Sequence, residues 1–314
     1  MIVRTRAVTE PETHVPPDFN CNFDAPYEAP HPIARGIVQV LAQNPKDYTF
    51  RGTNSFLVGE TELAIIDPGP LLDSHIDALM KAVAGRPVRA ILVTHSHQDH
   101  SPAAAALSQL TGAPVMGHRP IDAAIAALTT EDVDLAFAPD RELTDQDSIT
   151  IDGRVIRAVH TPGHFPNHLC YALEQEHILF SGDQVMGWST TVISPPLGNL
   201  EHYLNSLEAL LTREDRLYLP SHGPKIDNPH HYVRQLIEHR HCREQQIIAC
   251  LQKGCRTPAE IVSQIYTGLT PRLVQAAQQS VQAHLDYLTA QGLLGPGNVY
   301  HPRPTESALH PVQS

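Results

Sequence analysis

The chain has 314 residues, of which 41% are hydrophobic and 18% charged. Such a length accommodates one large domain and a smaller one, and the apolar content excludes global disorder. With 22 Lys plus Arg against 34 Asp plus Glu, the net charge is −12, which counts against a general polyanion binder.

Residues 1–30 are rich in Pro and acidic side chains and lack an apolar period, so an irregular surface arm is expected there. From about residue 36 the pattern changes. GIVQVLAQ, NSFLVGE and ELAIID are short β-rich runs between polar turns. LLDSHIDALMKAVAG has helical spacing and closes on Gly85. RAILVTH predicts a strand built on Ile91, Leu92 and Val93. Ser101-Pro102 ahead of AAAALSQL predicts an N-cap, a first-turn proline and a helix. APVMGH, SITID, RVIRAVH, HLCYALE and HILFSG read as strands, HYLNSLEALL as a helix, and RLYLPSHG as a last strand ending in a loop. An α/β protein with mixed sheets and outer helices follows.

From about residue 228 every long segment reads as helix, with Tyr232, Leu236, Ile237, Ile247, Ile248 and Leu251 in helical period. TPAEIVSQIY and TPRLVQAAQQSVQAHLDYLTAQGLL each open with Thr-Pro, a cap followed by a first-turn proline. Thr257-Pro258-Ala259-Glu260 also has capping-box spacing. GLLGPGNVYH then supplies a turn and a short strand. The expected organisation is an arm over 1–30, a catalytic domain over 31–227, a winged-helix-like module over 228–302 and a loose tail over 303–314.

The five cysteines, Cys21, Cys170, Cys242, Cys250 and Cys255, form no CxxC pair, which argues against a disulfide scaffold or a cysteine zinc knuckle. A reducing cytoplasm is the default compartment. No apolar run approaches the roughly 18 residues of a membrane span, and the N-terminus has no continuous apolar core of a secretory signal. Histidine, by contrast, occurs 20 times, and it is the commonest metal ligand.

Thr94-His95-Ser96-His97-Gln98-Asp99-His100 places His95, His97, Asp99 and His100 directly after a buried strand. His95 and His97, two apart in a loop, can converge on one ion, while Asp99 and His100 can reach a second at the turn into the next helix. Divalent cations take neutral imidazole and carboxylate ligands at about 2.0–2.2 Å. Three further segments each put a donor after a β-rich run: His164 in TPGH, Asp183 in SGD and His222 in SHG. Alone, each reads as a loop residue; together they complete two sets of three and a bridge.

THSHQDH, TPGH, SGD and SHG, in that order, with RGTNSFLVG and IIDPG ahead of them, resemble the metallo-β-lactamase superfamily over about residues 36–226. The resemblance implies a four-layered αββα sandwich with the site at one edge. By position it implies His95, His97 and His164 on one metal, Asp99, His100 and His222 on a second, Asp183 bridging both, and Asp67 supporting the ligand loop. The C-terminal segments, together with TPGHFPNHLCYAL and SGDQVMGWSTTV, are similar to the beta-lactamase-like protein 2 family, including His168 and the pair Thr190-Thr191. That family contains a single-strand endoribonuclease and relatives that hydrolyse acyl-carrier thioesters. Two departures lie near the site's mouth: Pro102-Ala103 replaces the usual Gly-Gly, and GWSTTVISPPLGNL is longer than in the ribonuclease. The substrate class therefore does not carry over directly.

A water between two metals, its pKa lowered toward about 7, would attack a carbonyl or phosphoryl centre while one metal polarises the substrate oxygen. Asp99 would both ligate and orient the nucleophile. His168 reads equally as a group supporting the site or facing the substrate, or as a strand histidine bonded to backbone. Trp188, the single tryptophan, is a packing residue or a lid over an apolar substrate. His118 and His160 read as structural histidines. Zinc is the expected metal, and iron or manganese accept the same donors.

Residues 225–314 hold 8 Lys plus Arg and 6 Asp plus Glu, so +2, which leaves −12 − 2 = −14 for the rest. The third C-terminal helix carries Arg272 and no lysine, where a DNA reader would present basic side chains. It reads instead as a packing face or a homodimer face. The leading expectation is a dinuclear metal hydrolase acting on a small or medium ester or thioester, including an acyl-carrier substrate. An endoribonuclease or phosphodiesterase, a metal-dependent oxygenase and a DNA-binding regulator are the alternatives.

Overall fold

The computed structural model describes residues 16–129 and 131–301. The expected tail over 303–314 and the first half of the expected arm, 1–15, lie outside the described residues. The chain forms two compact units, residues 16–237 in one and residues from 238 onward in the other.

In the first unit, a seven-stranded sheet runs β1 (Pro30–Ala34), β2 (Ile37–Leu41), β3 (Asn54–Val58), β4 (Leu63–Ile66), β5 (Val88–Leu92), β6 (Val115–Gly117) and β7 (Arg141–Glu142), side by side in chain order. β1 to β4 pair antiparallel with one another, and β4 to β7 pair parallel. The parallel half needs crossovers. α1 (Asp73–Val83) and α2 (Ala103–Thr111) supply two of them. A short α3 (Ala123–Ala126) and an irregular stretch lead to β7. The second sheet contains β8 (Ser148–Ile151), β9 (Arg154–His160), β10 (Leu169–Leu173), β11 (Ile178–Gly182) and β12 (Leu217–Pro220), in the order β12-β11-β10-β9-β8. Only the β11–β12 pair is parallel, and α4 (Leu200–Leu211) connects it.

Strand alternation decides the layers. Val40, Leu57, Ile65 and Ile91 pack on Ile76, Leu79 and Val83 of α1 and on Leu107 of α2. Their neighbours Ile37, Phe56, Val58, Ile66 and Leu92 face the second sheet through Ile156, Leu169, Tyr171, Leu173 and Phe180. The outer face of the second sheet also buries Val159, Cys170, Leu179 and Tyr218, and α4 buries Tyr203, Leu207 and Leu210. The result is an αββα sandwich, the four-layered fold expected.

α5 (Pro229–Gln252) runs across the boundary between the units. The second unit packs its C-terminal half with α6 (Pro258–Ile265), α7 (Pro271–Ala290) and the hairpin of β13 (Leu294–Gly295) and β14 (Val299–Tyr300). Ile247, Leu251, Ile261, Val281, Leu285 and Leu288 form its core. The capping box at Thr257 and Glu260 is present, worth about 1 kcal/mol. Thr270 occupies the N-cap of α7 but its hydroxyl makes no cap bond. Ser101 departs from expectation too. α2 starts at Ala103 behind Pro102, without a side-chain cap, and the Ser101 hydroxyl donates to Asp134 Oδ2 at 2.6 Å. No helix among the described residues is long and apolar enough to cross a membrane.

Residues 16–29 carry no regular element beyond a single bridge of Tyr27 to Leu41. They are nevertheless fastened: Asn20 N–H donates to Gly187 O at 2.9 Å, and Arg51 donates to Phe23 O while its guanidinium lies over the Tyr27 ring. Glu28 Oε2 meets His75 Nδ1 at 3.1 Å, and His75 Nε2 meets Ser55 Oγ at 2.8 Å. This resembles a Ser-His-Glu triad, but Ser55 is fully buried inside β3, so the three residues act as a latch between arm, helix and sheet.

Candidate metal centre

The donor residues all come from segments that leave the strands at one edge. His95 to His100 follow β5, His164 lies in the β9–β10 turn, Asp183 follows β11 and His222 follows β12. Three groupings have donor atoms within 4.8 Å of one another: His95, His97 and His164; His95, His100 and Asp183; and Asp99, His100 and His222. All seven residues singled out in the sequence therefore converge. His97 Nδ1 lies 2.8 Å from His95 Nε2 and 3.3 Å from His164 Nε2. His222 Nε2 lies 3.2 Å from Asp99 Oδ2 and 3.4 Å from Asp183 Oδ1. The other Asp183 oxygen sits 3.5 Å from His100 Nε2 and 3.7 Å from His164 Nε2, so this carboxylate touches both sets.

The outward ring nitrogens explain why the inward ones are oriented. His100 Nδ1 donates to Asp67 Oδ2 at 3.0 Å, His164 Nδ1 to Val192 O at 2.8 Å and His222 Nδ1 to Gly52 O at 3.0 Å. His95 Nδ1 meets Thr94 Oγ1 at 3.0 Å. Each bond holds Nδ1 outward and leaves Nε2 as the atom that faces the centre. Asp67 organises much of this. Its two oxygens accept from Thr94 N–H and Oγ1, both at 2.8 Å, and from Ser221 Oγ at 2.6 Å as well as from His100. It is fully buried and holds a left-handed backbone with φ 49°.

His168 sits behind the Asp183 turn and is bonded to its backbone. Its Nδ1–H donates to Thr161 Oγ1 at 2.9 Å, and its Nε2 accepts from Asp183 N–H at 3.1 Å. Thr191 Oγ1 donates to Asp183 O at 2.8 Å, closing the same loop from the other side. Gly182, at φ +54°, makes this turn, and a Cβ there would stand 2.4 Å from His168 Nε2. Thr190 is half-buried and its carbonyl accepts from Ser189 Oγ at 3.3 Å; it belongs to none of the donor groupings. Trp188 stacks on Phe50 with centroids 4.9 Å apart and planes at 15°. Phe50 holds a left-handed backbone at φ 55°, a conformation a bulky residue adopts only where its surroundings dictate it. A Cβ on Gly223, beside His222, would meet the indole at 2.7 Å, so Trp188 is packed at the edge of the second donor set. His118 stacks on His160 at 4.8 Å and takes no part in the cluster.

Charge follows burial and company. Burial and neighbouring imidazoles hold His95 well below its ordinary pKa and His97 down at about 3. Burial likewise depresses His164 and His168. For Asp99 and Asp183 burial acts upward, but His100 and His222 outweigh it and hold both well below the usual carboxylate range. Against their own burial, the carboxylates raise His100 strongly and His222 to about 10. Protons on His100 and His222 thus balance Asp99 and Asp183, the charge a divalent cation would replace. His97 Nε2, His100 Nε2 and Asp183 Oδ1 are buried without a hydrogen-bond partner, which a core avoids unless something else satisfies them. Neutral imidazoles, anionic carboxylates and orphaned donor atoms together fit divalent metal binding.

Several contributors were invisible in sequence. Asn167 spans two loops, its Nδ2 donating to Ser96 Oγ at 3.0 Å and to Arg119 O at 3.2 Å. Glu131 lies in a segment with no periodic pattern, and its Oε1 is 3.9 Å from His97 Nε2. Burial pushes its carboxyl up to about 8.

Residues 48–222 match the metallo-beta-lactamase superfamily, and residues 257–294 match the beta-lactamase associated winged helix domain. An atrochrysone carboxyl ACP thioesterase of Aspergillus chevalieri is 32% identical over 250 residues, 74% of either chain. A beta-lactamase-like protein 2 homolog of Caenorhabditis elegans is 28% identical over 267 residues, 83% of this chain and 87% of its own. A beta-lactamase domain protein from Burkholderia ambifaria shares the fold at a TM-score of 0.74 and 25% identity, over 90% of this chain and 96% of its own. Fold, strand-end donors and matched segments agree: the chain belongs to the metallo-β-lactamase superfamily of metal-binding hydrolases and carries that superfamily's associated winged helix.

Proposed function

We propose that this chain is a dinuclear hydrolase of acyl thioesters or esters, with an acyl-carrier-bound acid as its preferred substrate class. The observation that carries the reading is the seven-donor set, two triads sharing Asp183, in a chain similar to an acyl-carrier thioesterase. His95, His97 and His164 would hold one ion, Asp99, His100 and His222 the other, and Asp183 both. Bound divalent ions would activate a water and polarise the scissile carbonyl.

The chain's own groups do the rest. The Asp99 side chain is 26% exposed, the most open of the donors, and faces any incoming water. Held below the usual carboxylate range, it accepts a hydrogen bond and orients the water without taking its proton. Water adds to the carbonyl carbon, the C–S or C–O bond breaks, and the proton ends on the departing sulfur or oxygen. A thiol of pKa about 8.5 leaves readily and needs little acid assistance. Asp67, His168 and Thr191 keep the donors in place, so little reorganisation accompanies reaction. Trp188 and Phe50 offer an apolar wall to the acyl group.

The test measures metal per chain by elemental analysis and hydrolysis of acyl-pantetheine thioesters on one sample, with single-stranded RNA as a parallel substrate. About two ions per chain with thioester turnover is the expected result. Two ions with RNA cleavage and no thioester turnover would replace the reading with a phosphodiesterase. One iron and no hydrolysis would replace it with an oxygenase.

A further inference from the structure

Four of the five imidazoles in the cluster have their outward nitrogen engaged: His95 by Thr94, His100 by Asp67, His164 by Val192 O and His222 by Gly52 O. His97 differs. Its Nδ1 faces His95 and His164, and its outward Nε2 is buried with no partner. The group facing that nitrogen is the Glu131 carboxyl, Oε1 at 3.9 Å, with its side chain 13% exposed. Its other oxygen, Oε2, is likewise buried without a partner. Two orphaned polar groups therefore stand about one ångström short of the normal hydrogen-bond distance.

Their approach is set by backbone. Gln98 N–H donates to Asp132 O at 2.9 Å and Asp134 N–H to Ser96 O at 2.8 Å, and His97 bridges Val133 in antiparallel register. Ser101 Oγ bonds Asp134 Oδ2 at 2.6 Å. The segment from 131 to 134 is thus laced to the ligand loop itself, a pairing that the plain packing of a surface insertion does not call for.

We propose that Glu131 is a positioning residue: it accepts the Nε2–H of His97 and so holds the tautomer that presents Nδ1 to a metal in the first donor set. The proposal rests on the reading of His97 as a ligand. An imidazole that ligates through Nδ1 must carry its proton on Nε2, and that N–H, buried, needs an acceptor. Loss of such an outer partner lowers metal affinity about 10–100-fold.

The test uses the full chain and compares the native protein with E131A and E131Q, reading Zn(II) affinity by chelator competition and the melting temperature of each metal-free protein. Expected are a loss of about 10-fold or more for one of two ions in E131A, recovery to within about 3-fold in E131Q, whose amide oxygen still accepts, and matching metal-free melting temperatures. Unchanged affinity in E131A would refute the role. So would E131Q as weak as E131A, or weakening that follows a collapse of metal-free stability. Should E131A not fold, ¹⁵N-histidine spectra of the zinc-loaded native protein decide: a slowly exchanging His97 Nε2–H supports the bond and its absence overturns it. If the native protein binds no metal at all, it is the ligand reading that fails, and that outcome is distinct from two tightly bound ions indifferent to Glu131.

Discussion

Replacing Asp67 with Asn probes how the scaffold enforces ligand geometry. Asn tolerates a left-handed backbone, so the φ of 49° adds no strain and the side chain alone is tested. Asp67 accepts four hydrogen bonds from Thr94, Ser221 and His100, at 2.6–3.0 Å, with no exposure to water. The amide turns one acceptor atom into a donor that then faces donors from Thr94, Ser221 and His100. Breaking a buried, charge-assisted network of this kind costs about 3–5 kcal/mol. For a unit of this size about 2–4 °C accompany each kcal/mol, so the metal-free protein should melt roughly 6–20 °C lower. His100, released from its tautomer, should also bind the second ion about 10–100-fold more weakly. Differential scanning calorimetry of the metal-free protein and chelator competition read the two effects separately. Melting within about 2 °C of native, together with unchanged affinity for both ions, would show that Asp67 does not organise the site.

Asp183→Ala should remove most bound metal and activity, and two ions per chain retained by elemental analysis would sink the bridging assignment. Gly182→Ala should drive the His168 ring off Asp183 N–H, because its Cβ would stand 2.4 Å from Nε2; reduced metal content and a lower melting temperature are expected, and native values for both would contradict this. Metal binding at pH 7 should release protons from His100 and His222, whose pKa values are raised in the metal-free protein, His222 to about 10; calorimetric titration in two buffers of different ionisation enthalpy counts them, and zero release would contradict the charge assignment. Metal-free stability should fall on both sides of about pH 6.5. Below it the unfolded chain protonates histidines that the fold keeps neutral, His97 down to about 3. Above it the protons that the fold retains on His100 and His222 stabilise less and less, until about pH 10 for His222. A flat melting profile from pH 5 to 9 would refute both arms.

How much was legible follows from what each residue depends on. The seven donors sit beside strand ends whose apolar runs, such as RAILV before His95 and HILFSG before Asp183, are local signals. Sequence order alone therefore marked them, and the Thr257–Glu260 capping box was readable for the same reason. Ser101 misled because a cap and a tertiary hydroxyl contact share one local pattern, and Asp134, 33 residues away, wins its hydroxyl.

By itself, then, the sequence determined an α/β protein with mixed sheets, the helical C-terminal unit and the candidate donors, since each rests on periodicity or on residues a few positions apart; the αββα layering came only as what the resemblance to the metallo-β-lactamase superfamily implies. Only the tertiary structure decided which nitrogen of each histidine faces inward, because that depends on a partner supplied by another loop: Val192 for His164, Gly52 for His222, Asp67 for His100. It alone made His168 a prop for Asp183, set Trp188 against Phe50 and brought Glu131 to the back of His97. Groups 15 to 170 positions apart carry these contacts, and no local pattern in the chain encodes a distance of that kind.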